Sequence, residues 1–152
     1  HGVDMDDKAI HLLFSANRWE ARQRIESILL SGKSIVCDRY AFSGVAFSAA
    51  KPGLSMQWCA SSDRGLPAPD CVIFLDLSIE EAMKRGEFGE ERYEKEEFQR
   101  TVYANFDKLM RVPSDAHMWR KLDASKTVEE LHAEIRSIVD QTAQRVQGQP
   151  IR

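Results

Sequence analysis

The chain has 152 residues, of which 43% are hydrophobic and 30% are charged, and its formal net charge is −3 at pH 7. These values are typical of a globular protein with one sizeable core, so we expect a single domain over residues 1–152. Because the chain has no surplus of basic residues, we expect it not to coat a nucleic acid polymer.

The three cysteines cannot all pair within one chain, and none belongs to a CxxC motif, which argues against a zinc site. The sequence has neither an apolar run of about 18 residues nor a signal-peptide pattern. We therefore expect no membrane partner and a reducing, cytoplasmic location, with the nucleus and the mitochondrion as alternatives.

Helical and extended patterns alternate along the chain, which predicts a parallel α/β fold. Apolar residues return every three or four positions from Lys8 to Leu30, and Gly32 is placed to end that helix. The apolar run at 71–77 predicts a strand covered on both faces, and Cys37 and Cys71 are expected to be buried in strands. The predicted helices lie at about 8–30, 41–50, 55–62, 78–84, 95–110 and 127–146, and the predicted strands at 34–37, 71–77 and 117–122.

An acid and an arginine, Asp38 and Arg39, follow the predicted strand at 34–37. Ligands of parallel α/β proteins bind beyond the carboxyl ends of the strands. The planar guanidinium can hold a phosphate with two parallel hydrogen bonds, while the carboxylate can act on a metal or a proton. The pattern therefore predicts an anion site, although a structural ion pair between Asp38 and Arg39 is the alternative.

Phe14 and Arg18 are four residues apart on the first helix and therefore point from one face. A phenyl ring beside a guanidinium could stack on a nucleobase and donate to its carbonyl edge. The alternative is a core phenylalanine beside a surface arginine that pairs with a neighbouring acid, because helical aromatic residues are mostly core.

Two strings of residues resemble thymidylate kinases. VCDRYAFSGVAF at 36–47 resembles the signature of that family, and HLLFSANRWE at 11–20 resembles its nucleobase-binding helix. The resemblance implies a P-loop nucleoside monophosphate kinase-like fold, a three-layer parallel sheet with helices on both faces. It further implies transfer of the γ-phosphoryl group from ATP to dTMP with Mg²⁺, giving dTDP and ADP for dTTP biosynthesis, by a homodimer.

The resemblance also assigns roles in the acceptor site. Phe14 would stack on thymine and Arg18 would hydrogen-bond the base. Ser43 and Gly44 would line the base site, and Phe47 would lie close to the thymine methyl group.

Further roles concern the phosphates, the sugar and the donor. Arg39 would bind the acceptor phosphate, and Asp38 would lie near the metal and the transferring phosphoryl group, with any metal contact indirect. Residues 85–92 resemble the lid loop, with a spacing closer to that of eukaryotic members. The remaining roles are sugar contacts by Tyr93 and Gln99, and donor-nucleotide contacts by Arg85, Asp123, Ala124 and Ser125.

The P-loop of the family has no counterpart in this sequence. Gly32-Lys33-Ser34 matches the end of a Walker A motif, but the first glycine is replaced by Ser27 and the segment leads from a helix into a strand. We therefore expect a preceding P-loop part in the parent protein, and an isolated 1–152 chain to be inactive. The P-loop strand would separate strands 34–37 and 71–77, which should then be parallel without sharing ladder hydrogen bonds. The alternatives are a non-catalytic nucleotide-binding protein and a related kinase with another acceptor.

Overall fold

The computed structural model describes residues 5–85 and 96–151. Most predicted elements are confirmed close to their predicted bounds, and so is the α/β class. The elements, in chain order, are α1 (Asp7–Leu30), α2 (Ala41–Ser48), α3 (Met56–Ser61), β1 (Val72–Asp76), α4 (Ile79–Arg85), α5 (Glu96–Met110), a 3₁₀ turn at Ala116–Met118, β2 (Trp119–Asp123) and α6 (Val128–Val146).

The chain divides into two compact units. The first holds the residues up to 67 together with 101–109, and the second holds 68–100 and 110–150. That residues 1–152 form one domain stays a prediction.

In the first unit, α2 packs against both α1 and α3. Helix α1 begins at Asp6, whose carboxylate accepts a hydrogen bond of 2.8 Å from the Lys8 amide. It ends before Gly32, whose φ of +80° suits glycine and confirms the predicted helix stop. Val45 and Ala46 of α2 are buried in the core of this unit. The Asn105 side-chain amide donates to the Ala46 carbonyl at 3.0 Å.

His11 joins the three helices of this unit from a buried position. Its Nε2 lies 2.9 Å from the Cys59 carbonyl and its Nδ1 lies 2.8 Å from the Ser48 hydroxyl. Because a carbonyl can only accept, Nε2 carries a proton, and in the neutral imidazole Nδ1 accepts from the Ser48 hydroxyl. His11 is therefore a polar link between α1, α2 and α3.

In the second unit, β1 and β2 form a parallel pair in which Val72 lies opposite Trp119 and Asp76 lies opposite Asp123. Helix α6 begins with a capping box, in which Thr127 and Glu130 satisfy each other's backbone amides. This arrangement places the carboxyl end of β2 directly before the loop at 123–127.

The predicted strand at 34–37 is wrong, because these residues have no regular secondary structure. A strand needs a partner for its backbone amides and carbonyls, and the described residues supply no ladder to this segment, from β1 or from elsewhere. Val36 is consequently 91% exposed and Cys37 is exposed rather than buried. Leu75 in β1 is also 50% exposed, so the predicted coverage of both faces of β1 is not found.

Candidate active site

The residues before α2 place Arg39 in an unusual backbone conformation. Its φ is +62°, in the left-handed region that glycine normally occupies. A residue with a side chain is strained there by about 1–2 kcal/mol, and such strain is found preferentially at functional sites. The Arg39 guanidinium carbon lies 4.5 Å from the centroid of the Phe47 ring, which is a cation–π distance.

Arg39 and Asp38 are both exposed, and neither side chain forms an ion pair or hydrogen bond in the part of the chain that the structure describes. The alternative of a structural Asp38–Arg39 ion pair is therefore not observed there. Arg39 presents a cationic fork that no described carboxylate neutralises. The Arg39 guanidinium is therefore available to hold an anion.

The first helix presents Phe14 and Arg18 very differently. Phe14 is 63% exposed, so it is not a core residue. Arg18 is nearly buried, with its side chain 12% exposed, and it pairs with Asp63, whose side chain is 5% exposed. Arg18 Nε donates to one oxygen of Asp63 at 3.0 Å and Nη2 donates to the other at 2.7 Å. The alternative of an arginine paired with an acid is thus correct in part, although the pair is buried and not on the surface.

Asp63 is the functional candidate that the sequence reasoning missed. It lies in the turn after α3 and is 45 residues from Arg18 along the chain, so no local spacing connects the two. The Ser15 hydroxyl donates to the same carboxylate at 2.7 Å. The Trp19 indole N–H fixes the turn by donating to the Ser62 carbonyl at 2.7 Å.

Tyr40 is a second residue that the sequence reasoning missed. Its hydroxyl is buried and has no hydrogen-bond partner among the described residues. Burial raises the pKa of the Tyr40 phenol, and the negative charge of Asp63 raises it further, while the nearby Arg18 lowers it. Tyr40 is therefore a neutral phenol at physiological pH.

Helix α2 carries three of the predicted acceptor-site residues: Ser43, Gly44 and Phe47, all half-buried. A Cβ added to Gly44 would lie 3.1 Å from Arg18 Nη2 and 3.3 Å from Nη1, so a glycine lets the guanidinium lie against the helix. Phe47, one turn further on, contacts Arg39 and packs edge-on against Phe106 at 6.5 Å. One short helix thus contacts both predicted acceptor-site arginines.

The predicted donor-site residues meet in the second unit. Arg85 Nη1 donates to the Ala124 carbonyl at 2.7 Å and Nη2 donates to the Ser125 carbonyl at 3.4 Å. The Asp123 carboxylate accepts from the Ser125 amide at 2.9 Å, and hydrogen bonds from Ser125 lower the pKa of Asp123. Arg85 and the loop at 123–125 therefore form one exposed surface.

The sequence also predicts a lid loop and two sugar-binding residues. Residues 86–92 of the lid loop and Tyr93 lie outside the described residues. Gln99 lies on α5 in the second unit and is half-buried. Its predicted sugar contact stays a prediction.

Two properties of the described residues concern metal binding and membranes. No group of three or more His, Cys, Asp or Glu side chains is arranged to hold a metal ion there. Over the same residues, every helix is too short or too polar to cross a membrane.

Known proteins similar to this chain are thymidylate kinases. The family model described as thymidylate kinase matches residues 1–135. The chain is 47% identical to the thymidylate kinase of Danio rerio and 45% identical to that of Homo sapiens, each over 97% of this chain and 69% of the relative. It is 45% identical to the thymidylate kinase of Dictyostelium discoideum, over 97% of this chain and 64% of the relative. The chain thus spans about two thirds of the length of these relatives.

A solved structure of thymidylate kinase from Candida albicans is also similar. It has a TM-score of 0.82 and 35% sequence identity, and the match covers 93% of this chain and 70% of that one. The match confirms the predicted nucleoside monophosphate kinase-like fold, and the relatives confirm the predicted kinase class. The chain belongs to the thymidylate kinase family.

Proposed function

We propose that this chain supplies the acceptor site and part of the donor site of an enzyme that transfers the γ-phosphoryl group of ATP to dTMP. The state of Arg39 carries the proposal. Its guanidinium is exposed and has no carboxylate partner among the described residues, and its backbone is strained. Helix α2 links it through Phe47 and Gly44 to Arg18. Phosphate and base contacts are thereby organised by one element.

Each acceptor-site residue suits one part of dTMP. The Arg39 guanidinium matches the geometry of a phosphate and neutralises its charge. The exposed ring of Phe14 offers a face for stacking, and Arg18 offers N–H donors to a base carbonyl. An acceptor phosphate oxygen is itself a nucleophile, so these residues need only position it and stabilise charge.

The exposed surface of Arg85 and residues 123–125 suits the base of the donor nucleotide. A guanidinium plane stacks well on an aromatic ring. The hydrogen bonds from Arg85 to the Ala124 and Ser125 carbonyls hold that plane in place. We therefore assign Arg85, Asp123, Ala124 and Ser125 to ATP binding.

Asp38 fits a supporting role toward Mg²⁺. Proteins usually bind this ion through one or two carboxylates together with substrate phosphates and water. A single exposed carboxylate beside a phosphate-binding arginine suits an ion that arrives with ATP. When bound, the ion would neutralise charge on the transferring phosphoryl group.

We further propose that the protein is a homodimer that associates through α1. This helix exposes Leu12 and Leu13, at 47% and 58%. Sedimentation should show a dimer, and Leu13→Glu should give a monomer, whereas a wild-type monomer would contradict the proposal.

The exposed free thiol of Cys37 supports a reducing, cytoplasmic location.

Titration with dTMP, with ADP formation from ATP followed in parallel, tests the proposed function. The chain should bind dTMP, and Arg39→Ala should weaken binding by about tenfold or more, because a charge-assisted bidentate contact is lost. Arg136→Ala, at an exposed arginine of α6, is the matched control and should bind like the wild type. A wild-type chain that does not bind dTMP would refute the proposal, and dTMP binding without ADP formation would favour the non-catalytic alternative.

A further inference from the structure

We infer that Asp63 is a positioning residue that fixes the Arg18 guanidinium, and that this contact makes the acceptor site select a base with a carbonyl over one with an amino group. The inference rests on the proposed function, since it concerns how the same site chooses its base. It assigns a role to a residue that the resemblance does not mention.

The contact between Asp63 and Arg18 fixes the plane as well as the position of the guanidinium. Two donors on one side of the group, Nε and Nη2, bind the two oxygens of the carboxylate separately. The hydroxyl of Ser15 binds the oxygen that also accepts from Nε, which limits movement of the carboxylate. Because both charged side chains are almost fully withdrawn from water, alternative water-bound positions are disfavoured.

The remaining donors of Arg18 are directed away from Asp63. A guanidinium has five N–H groups, of which Asp63 uses two, so three remain. No acceptor for these three is found within the ranges that the structure describes. Gly44 lies against the same guanidinium, and a Cβ there would be nearest to Nη2, which donates to Asp63, and next nearest to Nη1. The guanidinium is thus held between a carboxylate and a helix backbone.

A group held in this way discriminates between base edges. A carbonyl oxygen can accept from the free N–H groups, whereas an exocyclic amino group presents another donor and leaves both sides unpaired. Without Asp63, Arg18 would have to be ordered by the ligand itself, which weakens binding and lets the side chain turn away from the wrong base. The ion pair with Asp63 therefore holds an otherwise flexible arginine in the position that favours a base carbonyl over an amino group.

Three acceptors separate this role from general support of the fold. They are dTMP, dCMP and 2-deoxyribose 5-phosphate, which has no base. In dCMP an amino group replaces one ring carbonyl and the methyl group is absent, but the methyl difference cancels when the dTMP-to-dCMP ratio is compared between variants. Affinities would be measured for the wild type and for Asp63→Asn, which keeps the shape but loses the charge. The matched control is Glu26→Gln, because Glu26 pairs with Arg22 within α1 and both of these side chains are partly exposed.

We expect Asp63→Asn to weaken dTMP binding and to lower the dTMP-to-dCMP affinity ratio, each by about tenfold. Binding of the base-free phosphate should stay within about twofold, and Glu26→Gln should match the wild type throughout. Equal weakening toward all three compounds would mean that Asp63 only supports the fold, and would overturn the inference.

Gly44→Ala tests the same contact from the opposite side and remains informative if Asp63→Asn does not fold. Alanine favours the helix over glycine, but its methyl group crowds the buried guanidinium, so the melting temperature serves only to confirm that the variant folds. The new methyl group should displace a guanidinium that Asp63 holds in place, and we expect the dTMP-to-dCMP ratio to drop by about threefold or more.

The outcomes distinguish this inference from the proposed function. A wild-type ratio or uniform weakening in Asp63→Asn would overturn only the inference, and so would a wild-type ratio in Gly44→Ala if Asp63→Asn does not fold. If the wild-type chain binds the base-free phosphate but shows no preference for dTMP, or binds none of the three, the proposed function fails and the inference fails with it.

Discussion

The strained backbone of Arg39 leads to a prediction that separates stability from function. Arg39→Gly and Arg39→Ala both remove the guanidinium and its contact with Phe47, so the loss of that contact cancels when the two are compared. They differ in the backbone, because alanine keeps the cost of a φ of +62° and glycine does not. The difference in their unfolding free energies therefore measures the strain.

The size of the difference follows from two opposing terms. A left-handed conformation costs an L-residue about 1–2 kcal/mol. Glycine loses about 0.4–1 kcal/mol more in chain entropy on folding. We therefore expect Arg39→Gly to be more stable than Arg39→Ala by about 0.5–1 kcal/mol, whereas at ordinary positions alanine is the more stable by about that amount.

Urea unfolding of both variants gives this difference, and dTMP titration gives its functional counterpart. Both variants should bind dTMP equally weakly, since both lack the guanidinium. Gly53→Ala is a control, because Gly53 has a φ of +78° and a Cβ there would meet no atom within 4 Å, so its change in stability reports the same two backbone terms without a steric contribution. If Arg39→Ala proves at least as stable as Arg39→Gly, or either binds dTMP like the wild type, the reasoning is refuted.

Four further substitutions test single contacts. Arg39→Lys should lose much of kcat/KM, or of dTMP affinity, because lysine keeps the charge without the bidentate geometry; wild-type values would exclude Arg39 as the phosphate ligand. Phe47→Ala should reduce a dTMP-over-dUMP preference of about 1–3 kcal/mol in competition assays, and an unchanged preference would leave Phe47 a packing residue. His11→Ala should lower the unfolding free energy by about 2–4 kcal/mol, because the buried Ser48 hydroxyl loses its partner and a cavity forms. A loss below about 1 kcal/mol would contradict the role of His11 as a link between α1, α2 and α3. Tyr40→Phe should not destabilise the chain at neutral pH, because the hydroxyl has no described partner. The pKa of Tyr40 in the folded chain is raised above its unfolded value of about 10. The wild type should therefore lose stability as the pH rises from about 10 through the folded-state pKa, and Tyr40→Phe should lose less. Unfolding measured as a function of pH tests this difference.

The sequence predicted the helices well because their signals are local. The spacing of apolar residues from Lys8 to Leu30 and the glycine at position 32 together specify α1 and its end, and the structure agrees. The motif residues on α2 could likewise be located without knowledge of the fold, because they occupy one turn after another of the same helix.

The errors concern contacts between distant parts of the chain. The apolar residues at 34–37 predicted a strand, but strand formation depends on a ladder partner that the described residues do not supply. Asp63 could not be predicted for the same reason, because its ion pair with Arg18 forms only when the turn after α3 packs against α1. Gly44 was assigned by resemblance, and only the structure gives the physical reason, the approach of the guanidinium.

The central claim is that the residues around α2 bind dTMP with Arg39 on its phosphate. It is tested most directly by titrating the wild type and Arg39→Ala with dTMP and with thymidine, which lacks the phosphate. We predict that the wild type prefers dTMP to thymidine by about tenfold or more, that Arg39→Ala loses this preference, and that both proteins bind thymidine with equal affinity. A wild type without preference for dTMP, or an Arg39→Ala variant that keeps the preference, would contradict the assignment of this site.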